Sequence, residues 1–292
     1  MGSRAALATW FEPRRSLYPW RGERDPYRVL VSEVMLQQTQ AARVIPAYYA
    51  FLERFPDVAT LAASTRADVL RAWAGLGHNR RAVALWDAAR AVNRDHDGLL
   101  PREREALERL PGVGAYTAAA VASIAFGHAV PAIDTNARRV VARARLGSEP
   151  EHLSAAQISQ AAATWLDRTD PGAWNQAVMD LGRELCRPAP RCEACPLARW
   201  CRFRRVAATR KPSSPRRRKR SAPFEGSTRQ ARGRVVAHLR TRRSATLESL
   251  AATMGLPLEG AAKVMNGLVA DGLVAGGPVA RAGRARGRVR LP

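Results

Sequence analysis

Four cysteines, Cys186, Cys192, Cys195 and Cys201, are the only ones in 292 residues, and they fall within the sixteen positions "CRPAPRCEACPLARWC". Their spacing is C-x5-C-x2-C-x5-C. Thiolates this close together suit zinc or a cubane iron–sulfur cluster, because soft ligands select both, and spacing alone leaves the two metals open. Two disulfides are the bland alternative. The opening "MGSRAALATW" lacks the apolar run of a signal peptide, and no segment reaches the roughly 18 apolar residues of a bilayer span. The chain is therefore expected in the cytoplasm, in a bacterial cytosol or nucleoid, with no membrane partner, and disulfides are rare there.

Two carboxylates stand out next. Glu33 lies inside "VLVSEVML", flanked by apolar residues. A carboxylate in such a setting is costly unless it is paired or its pKa is raised for acid chemistry. Asp134, in "VPAIDTNARRV", follows an apolar run and precedes a helical stretch. N-capping is the ordinary role for Asp at such a place. One raised and one ionised carboxylate in an apolar setting form the usual pair for cleaving a glycosidic bond. Between them runs "LERLPGVGAYTAAAVASIAF". Gly112, Val113 and Gly114 make a tight turn whose glycines let backbone approach a ligand. The N–H groups opening the next helix would then bind phosphate.

The elements that must position these groups are helical. "DPYRVLVSEVMLQQ" starts with Asp25 as N-cap and Pro26 in the first helical position. "RADVLRAWAGLG" is expected to end at Gly75 and Gly77 as a C-cap. Three- and four-residue apolar spacing recurs, and the first 200 residues read as an all-α fold of about nine helices. Forty-eight Lys and Arg against twenty-five Asp and Glu give a net charge of +23, which calls for a polyanionic partner. Residues 202–221 hold ten basic groups and no acidic one. After this Pro-, Ser- and Arg-rich stretch, the pattern from "RQARGRVVAHL" onward is that of a winged helix-turn-helix, or of a plain three-helix bundle.

The order of "SEVMLQQTQ", "LPGVGAYTA", "IDTNARRVVAR" and the four-cysteine loop resembles the helix-hairpin-helix DNA glycosylases with an iron–sulfur cluster, most of all the MutY-type adenine glycosylases. The resemblance covers residues about 16 to 203. It implies a two-lobed all-α fold. Residues 1–24 and 129–205 would form the cluster lobe, 25–128 a six-helix lobe with the hairpin, 206–224 a basic linker and 225–292 a winged-helix-like domain. It also implies a [4Fe–4S] cluster on the four cysteines, although the family's first gap is one residue longer.

By the same resemblance the chain is a monomeric enzyme acting on double-stranded DNA that contains a mismatched or damaged base. Glu33 would protonate the purine and later activate water. Asp134 would stabilise the sugar cation, Tyr116 would sit beside that cation, and Asn136 would orient the acid. Trp20 and Arg21 would line the base pocket, Gln38 would wedge into the duplex and Gln176 would touch a base edge. The strand-nicking endonuclease III branch carries lysine where this chain has Tyr116, so efficient lyase chemistry is not expected. Two departures concern the base opposite the target. His78 stands in "GLGHNRRA" where the family has "GLGY", and the C-terminal region differs from the family's usual hydrolase-like domain. The expected target is adenine opposite 8-oxoguanine or guanine, with weak discrimination of the opposite base. Alternatives are a paralogue excising hypoxanthine or mismatched thymine, or a non-catalytic DNA-binding regulator.

Overall fold

The computed structural model describes residues 2–207, 223–276 and 287–292. The first helices are α1 (Ser3–Phe11), α2 (Pro26–Leu36), α3 (Ala41–Arg54), α4 (Val58–Ala63), α5 (Arg66–Ala72) and α6 (Arg80–Asp95). Then follow α7 (Arg104–Glu108), α8 (Ala115–Ile124), α9 (Thr135–Val141), α10 (Ala155–Trp165), α11 (Pro171–Glu184) and α12 (Arg202–Ala207). The C-terminal elements run α13 (Thr228–Arg240), β1 (Ala245–Thr246), α14 (Leu247–Met254), α15 (Leu258–Ala270), β2 (Ala275–Gly276) and β3 (Arg288–Arg290). Eleven of these helices precede residue 200, against about nine expected. The short α4 and α7, of six and five residues, are too brief to register as a periodic pattern. Asp25 caps α2 as expected, its Oδ1 accepting from the Arg28 amide at 3.0 Å. Helix α5 ends earlier than expected, at Ala72, and the left-handed Gly75 and Gly77 shape the loop beyond it.

The chain forms two compact units, residues 1–34 with 100–215 and residues 35–99 with 216–292. This grouping differs from the lobes expected from sequence, because the hairpin joins the cysteine region rather than helices α3 to α6. The physical reason lies in α8, where every residue from Thr117 to Ile124 is buried and the helix packs on α11.

In the first unit α11 is the central element, with eleven of its fourteen residues buried. A helix buried on nearly all sides needs close neighbours, and two glycines provide them. A Cβ on Gly172 would stand 2.9 Å from Ile124 Cα, and one on Gly182 would stand 2.7 Å from Asn136 Cβ. So α8 and the start of α9 approach the α11 backbone directly. Leu7, Phe11, Val141, Ile158, Trp165 and Val178 fill the core around it.

In the second unit α4 and α5 pack on α6, and Phe51 meets Trp73 edge-on. The same unit holds the C-terminal domain, three helices with a three-stranded antiparallel sheet in the order β1-β3-β2. Residues 208–222 of the expected linker lie outside the described residues. Among the described residues no helix is long and apolar enough to cross a membrane.

Candidate active site

The first unit brings Glu33, Tyr116, Asp134, Asn136, Trp20, Arg21 and Gln176 into one compact body. Glu33, on α2, is 4% exposed, and its Oε2 accepts the Tyr116 hydroxyl at 2.8 Å. That hydroxyl also stands 2.9 Å from Met179 Sδ on α11. Burial raises the Glu33 carboxyl, with the Tyr116 hydrogen bond and the Arg21 charge opposing and the Asp134 and Asp180 charges reinforcing. Burial likewise holds the Tyr116 phenol well above its ordinary value, so it remains a donor. The hydrogen bond fixes the direction in which the acid points.

Asp134 is the N-cap of α9, as its ordinary role requires, with Oδ1 accepting from the Ala137 amide at 2.6 Å. Its other oxygen accepts from Asn136 Nδ2 at 2.9 Å. Burial raises this carboxyl too, while these N–H donors and Arg139 pull the other way. Both of these donors to Asp134 are N–H groups, an arrangement that favours the anion. Asn136 is itself held, because its Oδ1 accepts from Arg139 Nη2 at 2.9 Å. Arg139 continues to the Gly182 carbonyl at 2.7 Å and, through Nε, to the Cys186 carbonyl at 2.5 Å. The segment leading into Asp134 is pinned by Asn175, which accepts from the Ala132 amide and donates to the Val130 carbonyl.

Arg21 forms a buried two-pronged pair with Asp180, with contacts of 2.8 and 3.2 Å. The two side chains are 6% and 3% exposed. Trp20 is buried and stacks on Tyr18 at 5.3 Å. Gln176 is buried on α11 rather than exposed on its surface. In the hairpin, Gly112 adopts φ 73°, which favours glycine. The Val113 amide is taken by the Leu110 carbonyl at 3.1 Å, so this residue locks the turn and its N–H does not serve a phosphate. Gly114 has an ordinary φ of −92°, and a Cβ there would meet nothing within 4 Å. Its bare backbone leaves room for a ligand at the opening of α8. Gln38 and His78 belong to the second unit, and both have left-handed backbones, φ 56° and 43°. Burial and the charges of Arg81 and Arg229 push the His78 pKa down, so its ring is neutral at pH 7.

Cys186, Cys192, Cys195 and Cys201 border one small pocket with Leu185, Phe203 and Arg143. Arg143 lies in the widened turn that continues α9 and ends 3.8 Å from Cys186 Sγ. Among the described residues no three His, Cys, Asp or Glu groups are placed to hold a metal ion. The donor set nonetheless suits a thiolate-bound cluster, with four soft sulfurs on one pocket and a guanidinium beside them to offset negative charge. Burial pushes the Cys195 thiol up to about 11 and raises Cys186 and Cys192, so loading a metal here must release protons.

Sequence reasoning missed Asp180, Asn175, Arg139 and Arg143. Asp180 carried the same signal as Glu33, a carboxylate among apolar residues in "WNQAVMDLG". The arginines carried none, since the contacts that tie them to α11 and the cysteine loop lie more than forty residues away along the chain.

A buried acid, a helix-capping aspartate and a glycine hairpin on one helical body are the marks of a helix-hairpin-helix base-excision fold. Residues 31–166 match the HhH-GPD superfamily of base excision DNA repair proteins. The chain is 40% identical over 238 residues to the adenine DNA glycosylase of Mycobacterium tuberculosis, covering 80% of this chain and 77% of that protein. To the human adenine DNA glycosylase it is 41% identical over 213 residues, which is 69% of this chain and 39% of that one. A solved thermostable thymine-DNA glycosylase superposes with a TM-score of 0.64 at 31% identity, covering 70% of this chain and 95% of that one. An endonuclease III–DNA complex shares the fold, with a TM-score of 0.60 at 23% identity over 71% of this chain and 95% of that one. The chain belongs to the MutY-type branch of the HhH-GPD superfamily and is a DNA N-glycosylase of base excision repair.

Proposed function

We propose that this chain is a monofunctional glycosylase that hydrolyses the N-glycosidic bond of adenine flipped from a mispair in duplex DNA. The observation that carries the reading is the Tyr116–Glu33 hydrogen bond of 2.8 Å, which directs a buried, proton-retaining carboxyl. Glu33 gives its proton to a ring nitrogen of the base, and the sugar–base bond breaks with its electron pair leaving on the base. The Asp134 carboxylate stabilises the sugar cation, held in place by Asn136 and the Ala137 amide. Glu33, now ionised, accepts a proton from the water that attacks the sugar carbon, which restores the acid. Tyr116 has no amine to attack the sugar, so the backbone is left intact. Adenine as the target is supported by relatives named adenine DNA glycosylase at about 40% identity.

Cys186, Cys192, Cys195 and Cys201 would hold a [4Fe–4S] cluster, which when bound closes their loop into a rigid unit beside α9. Gly112 and Gly114 would let the hairpin meet a phosphate, while Trp20 and Gln176, both buried, would act through the wall of the base pocket. The enzyme would act as a monomer on the DNA of the bacterial nucleoid. A set of duplexes, each with one adenine, hypoxanthine or thymine mispair, tests the reading under single-turnover conditions. Adenine excision that yields strand breaks only after alkali is the expected result. Breaks without alkali, or excision of thymine alone, would overturn it.

A further inference from the structure

A row of alternating charge runs through the first unit toward Glu33. Arg14, just after α1, donates to Glu184 Oε2 at 3.3 Å, and Glu184 Oε1 accepts from Arg183 at 3.0 Å. Arg183, in the last turn of α11, pairs in turn with Asp180 Oδ1 at 3.1 Å. Arg21 grips both Asp180 oxygens, at 2.8 and 3.2 Å. The outer three side chains are half-buried, whereas Asp180 and Arg21 are enclosed. One oxygen of Asp180 is thus shared by two guanidiniums from different parts of the chain.

The same two guanidiniums meet one aromatic ring. A tight turn, closed by the Arg21 amide on the Tyr18 carbonyl at 2.9 Å, brings Tyr18 back beside Arg21. The Arg183 guanidinium stands 4.8 Å from the Tyr18 ring centre and that of Arg21 6.0 Å. Tyr18 itself stacks on buried Trp20 at 5.3 Å, with the planes 8° apart. A guanidinium on an aromatic face is attracted to it and gives up part of its freedom to swing into solvent. An exposed pair three residues apart on a helix contributes little. Here one partner is buried and held twice from elsewhere, and the other has a seat. Asp180 already has its counter-ion in Arg21. A second cation on the same oxygen is not needed to balance it, but it does fix the carboxylate and offset its field.

We propose that Arg183 is a positioning residue of base excision: seated on Tyr18, it clamps the Asp180 carboxylate that Arg21 also holds, and so sets how strongly that buried charge acts on Glu33. The inference rests on the reading of Glu33 as the acid of a glycosylase. Glu33 is faced by Tyr116 from α8, Asp134 at the start of α9, Arg21 from the turn before α2 and Asp180 from α11. Of the last two, the Asp180 charge favours its protonated form and the Arg21 charge opposes it.

The test is the pH profile of single-turnover adenine excision by the full chain. In Arg183→Met the stem still covers Tyr18, Arg21 keeps its two-pronged grip, and the Asp180 charge is less offset. The alkaline limb should move up by about half a pH unit, the size of a partly screened neighbouring charge. Arg183→Lys keeps a cation beside Asp180 and should leave the limb at the wild-type position. Tyr18→Leu removes the seat and should move the limb up with Arg183 still present. On an Asp180→Asn background, Arg183→Met should shift the limb by less than half as much, because the two residues act through one another. A merely structural role would lower the urea midpoint and leave the limb in place. The inference would be overturned by an unmoved or lowered limb in Arg183→Met, or by an Arg183→Lys shift as large as that of Arg183→Met. An unmoved limb in Tyr18→Leu, or a full shift on the Asp180→Asn background, would overturn it equally. Each of these results requires adenine excision and so leaves the glycosylase reading intact. A wild-type chain that excises adenine from no mispair would overturn that reading and this inference with it.

Discussion

The Tyr116 hydroxyl donates to Glu33 Oε2 at 2.8 Å, and it is the only hydroxyl found on that buried carboxylate among the described residues. The bond lowers a pKa that burial raises. A general acid works only while it holds its proton, so single-turnover excision should fall as pH rises through the Glu33 pKa, which burial raises above the ordinary 4.5. It should also fall at low pH as the Asp134 anion is protonated. In Tyr116→Phe the lowering bond is lost, so the alkaline limb should move to higher pH. A limb that stays put or moves down would separate the hydroxyl from the acid.

Glu33→Gln should lower the excision rate by about 10²–10⁴-fold, the usual contribution of a positioned acid. Its effect on stability has the opposite sign. The folded pKa of Glu33 lies above its unfolded value of 4.5, so ionisation costs stability as pH rises above 4.5. The amide cannot ionise. Thermal unfolding should therefore give a higher Tm for Glu33→Gln than for wild type at pH 8, with the gap shrinking toward pH 4.

Two glycines separate packing from ligand contact. Gly182→Ala places a Cβ 2.7 Å from Asn136 Cβ, and overpacking of this kind costs about 1–3 kcal/mol. Its urea midpoint should drop, and excision should drop with it, because Asn136 positions Asp134. Gly114→Ala has free space and an ordinary φ, so its midpoint should match wild type. Its affinity for duplex DNA should nonetheless fall, as the added methyl occupies the space before α8. A Gly114→Ala chain that binds normally would remove the hairpin from the DNA contact.

The same Asn136 leads to the cysteine loop through Arg139. Arg139→Gln removes charged hydrogen bonds to Asn136 and to the Gly182 and Cys186 carbonyls, each worth about 1.5–3 kcal/mol. Purified protein should be brown from thiolate-to-iron charge transfer, and the variant should carry less iron per chain and excise more slowly. Colourless wild type with stoichiometric zinc would overturn the iron assignment. An Arg139→Gln chain with full iron but slow excision would confine the arginine to positioning Asp134.

Much of this site was legible because its chemistry is local in sequence. A carboxylate inside "VLVSEVML" must be buried, and four cysteines in sixteen positions must meet. What stayed hidden depends on long-range partners. Arg139 reads as one more basic residue until α9 lies against the cysteine loop, and Arg240 until α13 meets the end of α5. That Gln176 is buried is not evident from the pattern of α11 alone, which does not reveal that α8 and α9 pack against that helix.

Asp180 supplies the sharpest check on how Glu33 is tuned. It is buried, pairs with Arg21 at 2.8 Å and faces Arg183 at 3.1 Å. Its charge raises the Glu33 carboxyl, whereas that of Arg21 lowers it. Asp180→Asn removes the raising charge and leaves Arg21 without its counter-ion. Both changes favour ionised Glu33, so the alkaline limb of the excision profile should move to lower pH, opposite to Tyr116→Phe. Breaking a buried pair from one side costs about 3–5 kcal/mol, so the midpoint of unfolding will fall as well. Loss of folded protein lowers the amplitude of a single-turnover burst, however, and does not move the pH at which its rate constant halves. Shifts of the same sign in Asp180→Asn and Tyr116→Phe would mean that the limb belongs to a group other than Glu33.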